Sequence, residues 1–162
     1  MIIIRCETGN DVHVEGDTLI GANLARLNLH RALLEGRDLR EADLSGSELR
    51  SARLEGTVFD RANLAGASLA ASEAVRASFV GANLRGAMMR SGGFEKADFT
   101  GADLRDANVG GAVFAGAVLD GADLRCEGLE RTKLEGARAD RATRWPEGFK
   151  PEDYGVQMKG EN

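Results

Sequence analysis

Between Ala97 and Cys126 the chain reads ADFTG, ADLRD, ANVGG, AVFAG, AVLDG and ADLRC, six consecutive blocks of five that open on alanine and carry an apolar residue third. Stepping outward by five from this stretch gives a register from Leu19 to Ala139 without insertion or deletion. Its 25 central positions hold sixteen Leu and five Phe (Phe59, Phe79, Phe94, Phe99, Phe114), with Met89, Val109, Ala74 and Ala139 making up the rest. Two places before the centre, sixteen of the 25 residues are Ala; two places after it, twelve are Gly. An α-helix cannot use such a pattern, because a five-residue step rotates the apolar position by roughly 140° and builds no stripe. A flat strand fails as well, since the next block starts on the wrong parity and its side chains would change face. The chain must turn once per block. Glycine two places after the centre fits, because the third position of a type II turn needs a positive φ.

With 162 residues, 43% hydrophobic and 29% charged, the chain suffices for one domain with a substantial core. Its 26 acids against 21 bases give a formal charge of −5, with no basic arm or acidic tail. The apolar opening Met1-Ile2-Ile3-Ile4 is cut short by Arg5 and Glu7, so neither a signal peptide nor a membrane span is expected and a cytoplasmic location is the default. Cys6 and Cys126 lie near opposite ends without CxxC spacing, which predicts reduced thiols rather than a disulfide or zinc site.

Ala22-Asn23-Leu24, Ala42-Asp43-Leu44, Ala62-Asn63-Leu64, Ala82-Asn83-Leu84 and Ala102-Asp103-Leu104 resemble the A(D/N)Lxx blocks of the pentapeptide-repeat family, a resemblance that covers about 125 residues. It implies an all-β fold, a right-handed quadrilateral β-helix with four pentads per coil. The central residue and the one two before it would point inward and the other three outward. Six full coils from Asp17 to Gly136 make a rod about 30 Å long at a strand spacing of ~4.8 Å. Folding at 20 residues per coil stacks Leu19, Leu39, Phe59, Phe79, Phe99 and Leu119 on one side and Leu24, Leu44, Leu64, Leu84, Leu104 and Leu124 on the next. A third column runs from Leu29 to Leu129 through Met89 and Val109, and a fourth holds Leu34, Leu54, Ala74, Phe94, Phe114 and Leu134. Ala74 leaves space that Phe94 or a neighbour is expected to lean into. Arg37 and Glu127 fall on inward positions and are expected to reach out past the corner.

Solenoids need covered ends. Residues 1–16, in which Ile2/Ile4 and Val12/Val14 flank a Thr8–Asp11 turn signal, predict a hairpin or degenerate coil as N-terminal cap. Residues 17–141 form the repeat, and 142–162 a C-terminal cap and polar tail in which Trp145 and Phe149 are the expected plug. The Trp145–Phe149 segment also resembles the WPEGF endings of cyanobacterial family members.

No nucleophile–base–orienter set can be assembled, and His13 and His30 lack partners at ligand spacing, so neither an enzyme nor a metal or other cofactor is expected. Function then falls to the outward columns. Glu35, Glu55, Glu95 and Glu135 form one, interrupted by Val75 and Ala115, with Arg53, Arg76, Lys96 and Lys133 on the same side as apparent compensation. Arg85, Arg105 and Arg125 form another, beside Asp103 and Asp123. Val58, Val80, Val113 and Val118 are candidates for a self-association or partner patch. The leading reading is a scaffold rod that binds an unknown protein, with no direct nucleic-acid or membrane binding. The resemblance supplies a second reading. Some members protect DNA gyrase and topoisomerase IV from quinolones and gyrase poisons as dimeric rods with a DNA-like acidic surface. The modest charge and the interleaved bases here depart from that subgroup.

Overall fold

The structure is a computed structural model describing residues 1–160. From Asn23 onward, parallel bridges join residues 20 apart, as in Asn23 to Asp43 and Asp43 to Asn63, and they continue up all four sides. The result is a right-handed quadrilateral β-helix. From Leu24 to Phe114 each side makes three backbone hydrogen bonds to the coil above. On the second side Leu24 N donates to Asp43 O at 2.7 Å, Arg26 N to Ser45 O at 2.9 Å, and Asp43 N back to Ala22 O at 2.9 Å. Corners close by a bond from the third residue past the centre, as Ser47 N to Leu44 O at 3.0 Å. At every corner from Gly21 to Gly121 the residue two past the centre has φ near +60°, and ten of these residues are not glycine.

Inside the rod the four central columns are buried, and alanines fill the positions two before them. Phe59, Phe79 and Phe99 stack with centroids 5.0 and 4.8 Å apart. Phe94 stacks on Phe114 at 5.3 Å and meets Phe79 and Phe99 edge-on at 6.0 and 5.7 Å. It thus leans toward the phenylalanine ladder of the first side, and its ring covers Gly92 so closely that a Cβ there would lie 2.5 Å from Cε2.

The unbroken register read from the sequence is corrected at two corners. After Leu124 the chain cuts the corner, with Cys126 N bonded to Leu124 O at 2.8 Å. Glu127 therefore pairs with Asn108, one residue early, so Cys126 rather than Glu127 takes the inward position and Glu127 is exposed. Gly128, at φ 81°, and a 3-10 turn over Leu129–Arg131 restore the register by Thr132. Beyond Ala139 the corner is one residue longer. Thr143 occupies the inward position and its hydroxyl donates to Leu119 O at 2.8 Å; Arg144 pairs with Asp123, which puts Trp145 next above Leu124. Arg37, by contrast, keeps its inward position and is half-buried.

At the N-terminus, strands β1 (Ile2–Ile4) and β2 (Val12–Val14) form an antiparallel hairpin in the register Ile2 to Val14. The strand continues past β1 so that Cys6 bridges Ala32 on the fourth side of the first coil. At the other end β3 (Arg138–Ala139) pairs in parallel with β4 (Gln157–Met158), adding a further strand above the first side.

Candidate functional site

The side walls carry two kinds of polar column. In the A(D/N)L blocks the Asn or Asp before the centre accepts the N–H two residues on. Ala25 N donates to Asn23 Oδ1 at 3.2 Å, Ala65 N to Asn63 Oδ1 at 3.1 Å and Arg105 N to Asp103 Oδ1 at 3.1 Å. This bond satisfies an N–H that faces away from the ladder and so needs a side-chain partner. Asp103 and Asp123 are further held by Arg105 and Arg125 at 2.6 Å, and Arg105 also reaches Asp123 at 3.8 Å. The guanidinium hydrogen bonds keep both carboxyls below the usual aspartate range. The acids of this column are spent on the fold.

The second kind is the column Glu35, Glu55, Glu95 and Glu135. Backbone bonds from Gly36 to Glu55, Arg76 to Glu95 and Gly116 to Glu135 place it along one line, interrupted by Val75 and Ala115. None of the four makes an ion pair among the described residues. The compensation expected from Arg53 does not form, because Arg53 pairs instead with Glu7 at 2.9 Å. One carboxylate oxygen of Glu95 is folded against Gly93, shielded from solvent and without a hydrogen-bond partner. Val58 and Val118 share a column but are separated by Ser78 and Asp98; Val80 and Val113 lie in neighbouring columns, and all four valines are half-buried. These valines do not merge into one apolar patch.

At the C-terminal end Trp145, Phe149 and Tyr154 stack with centroids 5.4 and 4.6 Å apart. Phe149 and Tyr154, with Cys126 and Glu130, line a cleft of about 460 Å³. Burial, reinforced by Glu130 and Asp123, pushes the Cys126 thiol up to about 12, so it stays protonated at neutral pH. The sequence reading missed both the turn-capping role of the Asx column and this cleft. The first was signalled by the restriction to Asn and Asp at one position; the second depends on a corner that departs from the repeat. Among the described residues no cluster of three or more His, Cys, Asp or Glu is arranged to hold a metal ion. Nor, among the described residues, is any helix long and apolar enough to cross a membrane.

A family model described as pentapeptide repeats (8 copies) matches residues 18–47, 38–73, 62–106 and 97–126. The chain belongs to the pentapeptide-repeat family. This pentapeptide-repeat chain is similar in structure to a trypsin-treated form of QnrB1, a plasmid-mediated fluoroquinolone resistance protein, with TM-score 0.58, 18% identity, and 88% of this chain and 84% of that one covered. HetL, a pentapeptide-repeat protein involved in heterocyst differentiation regulation from the cyanobacterium Nostoc sp. strain PCC 7120, aligns at 26% identity and TM-score 0.41 over 84% of this chain and 65% of its own. Rfr23 from the cyanobacterium Cyanothece 51142 aligns at 26% identity and TM-score 0.43 over 78% and 89%. Comparison with curated protein sequences returns no match.

Proposed function

We propose that this pentapeptide-repeat rod is a non-enzymatic, cytoplasmic protein-binding scaffold. Residues 17–141 present the surface and 1–16 and 142–162 close its ends; Glu161 and Asn162 lie outside the described residues. The partner docks on the wall that carries Glu35, Glu55, Glu95 and Glu135, with Val58, Val80, Val113 and Val118 adding apolar contact at its margins. One observation carries this reading: these glutamates are taken up neither by turn capping nor by ion pairs among the described residues, and Glu35, Glu55 and Glu135 are exposed, so their charge is available to a partner, while Glu95 offers it through one carboxylate oxygen. A photo-crosslinking residue at Glu55 or Glu135 should give a defined protein adduct in cells, and one at Ala65 or Arg85 on the opposite wall should not. Equal adducts from both walls would remove the assignment.

The same column favours a second reading, protection or inhibition of DNA gyrase or topoisomerase IV by mimicry of DNA. Aligned carboxylates without ion-pair partners stand in for phosphates, despite the breaks at Val75 and Ala115, and an acidic wall steers the rod to a DNA-binding surface rather than to DNA itself. The likeness to QnrB1 supports the fold for this role and no more. A supercoiling assay with purified gyrase, with and without a quinolone, decides it. Inhibition or protection should appear at micromolar protein and vanish in the quadruple Glu→Gln variant. If neither appears, the reading fails. Light scattering addresses the homodimer that this role implies, and a monomer at high concentration counts against self-association through the valines.

A further inference from the structure

The two ends of the rod are finished differently. At the C-terminal end Arg144 covers Asp123, β4 covers β3, and Gly136 N is bonded to Gly155 O at 3.0 Å. At the N-terminal end only the fourth side is covered, where Leu33 N donates to Arg5 O at 2.8 Å and Glu7 N to Arg31 O at 3.0 Å. Asn23 and Asn28, which begin the second and third sides, make no backbone hydrogen bond through either N–H or C=O among the described residues. Asn63 and Asn83, in the same column as Asn23, donate to the coil below at 2.9 and 3.0 Å. The first coil therefore ends in a two-sided β-edge whose groups point away from the rod. An open groove of about 500 Å³ lies at the Asn23 end of this edge, between the hairpin with its Glu15 and Ala22, Asn23 and Leu27. Ala22 and Leu27 hold inward positions like the buried alanines above them but are only half-buried, so the edge carries apolar sockets beside its free backbone.

We propose that this edge binds an extended, acidic–apolar segment of a partner protein, added as a strand beneath Asn23 and Asn28. The site is an end of the rod and is independent of the side wall assigned above. Main-chain hydrogen bonds supply affinity in such strand addition, and sockets for alternate side chains supply selectivity. Charge selects the occupant. Residues 22–31 contain no acid, and Arg26 carries no ion pair among the described residues, whereas Arg31 is already held by Glu7 at 2.9 Å, so the uncompensated cation of the edge is Arg26. Glu15 and Asp17 flank the first side instead, which keeps an acidic segment off Thr18 and on the second and third sides.

The test uses the full chain and short synthetic peptides: alternating valine and glutamate, the same peptide N-methylated at alternate residues, and alternating valine and lysine. Binding is followed by fluorescence anisotropy and amide exchange. The Val/Glu peptide should slow exchange at Asn23 and Asn28 by at least about tenfold, leaving Asn63 and Asn83 unchanged, and the other two peptides should bind at least about tenfold more weakly. Equal binding by the N-methylated peptide means charge adsorption without strand addition and overturns the proposal. So does equal binding by the Val/Lys peptide, or no binding at all. Protection of Asn23 and Asn28 that grows with protein concentration in the absence of peptide assigns the edge to a second copy and also overturns it.

Discussion

A left-handed φ at every corner from Gly21 to Gly121 is imposed by the coil, since Arg26, Glu41, Ser51, Ala71 and Asp106 adopt it as readily as the glycines between them. None of the ten non-glycine residues there is β-branched, in keeping with the crowding of Cβ in that region. Gly66, at φ 66° and with open space around its Cβ position, isolates the backbone term, so Gly66→Val should cost about 1–2 kcal/mol. Ala71→Gly should be neutral to slightly stabilising, because relief of strain offsets the entropy of glycine; urea midpoints of the two variants check the pair. Ser47 is a second single-residue case, for it sits buried where alanine is usual and its hydroxyl lacks a partner. Ser47→Ala should raise stability by about 1 kcal/mol in the same assay. At Asp103 and Asp123 the folded carboxyls titrate below the ordinary value of 3.8. Their contribution is present above that value and is lost as the pH falls through the depressed folded one. Asparagine keeps the turn-capping oxygen and removes the charge, so the double Asp→Asn variant should lose stability at pH 7 and show a shallower acid limb. An acid limb as steep as the wild type would show that the arginine pairs contribute nothing. What the sequence made legible at this scale was the corner glycine. The Asx bond was not legible, because an outward Asp reads as surface charge until its acceptor role is seen.

The sides and their columns were legible because a five-residue period with a fixed inward pair leaves one way to bury the leucines. The corner at Cys126 was not, because the residues on either side keep the period while the chain between them cuts the corner one residue short and adds one residue at Gly128. Packing between columns was legible only in part. Gly92 occupies a position that alanine fills sixteen times in the sequence, and repairing the pattern there looks harmless. Phe94 makes it otherwise, since its ring lies 2.5 and 2.9 Å from where the new Cβ would be and is hemmed in by Phe79, Phe99 and Phe114. Gly92→Ala should destabilise by about 1–3 kcal/mol through overpacking. Adding Phe94→Leu should make the alanine harmless, a coupling that a double-mutant cycle on denaturation midpoints reads directly. Additive costs would mean that the ring and Gly92 do not share the space.

Over the whole molecule, each coil gains its stability from the coils it touches, so the ends decide how far order extends. The C-terminal segment closes its end by continuing the helix after an interruption. Val156 and Met158 take the places above Ala137 and Ala139, while Gln157 N and Lys159 N donate to Ala137 O and Ala139 O at 2.8 and 2.7 Å. A chain cut after Gly155 would leave β3 as a bare parallel edge and uncover the alanines beneath it. That truncation should keep the interior coils folded but lose amide protection at Leu119 and Arg138 first. It should also associate with rising concentration, as light scattering would register, because the exposed edge can pair with another molecule. Loss of protection spread evenly along the rod would mean instead that the coils melt as one unit and that β4 anchors all of them. An unchanged exchange pattern would mean that the aromatic stack of Trp145, Phe149 and Tyr154 closes the end alone.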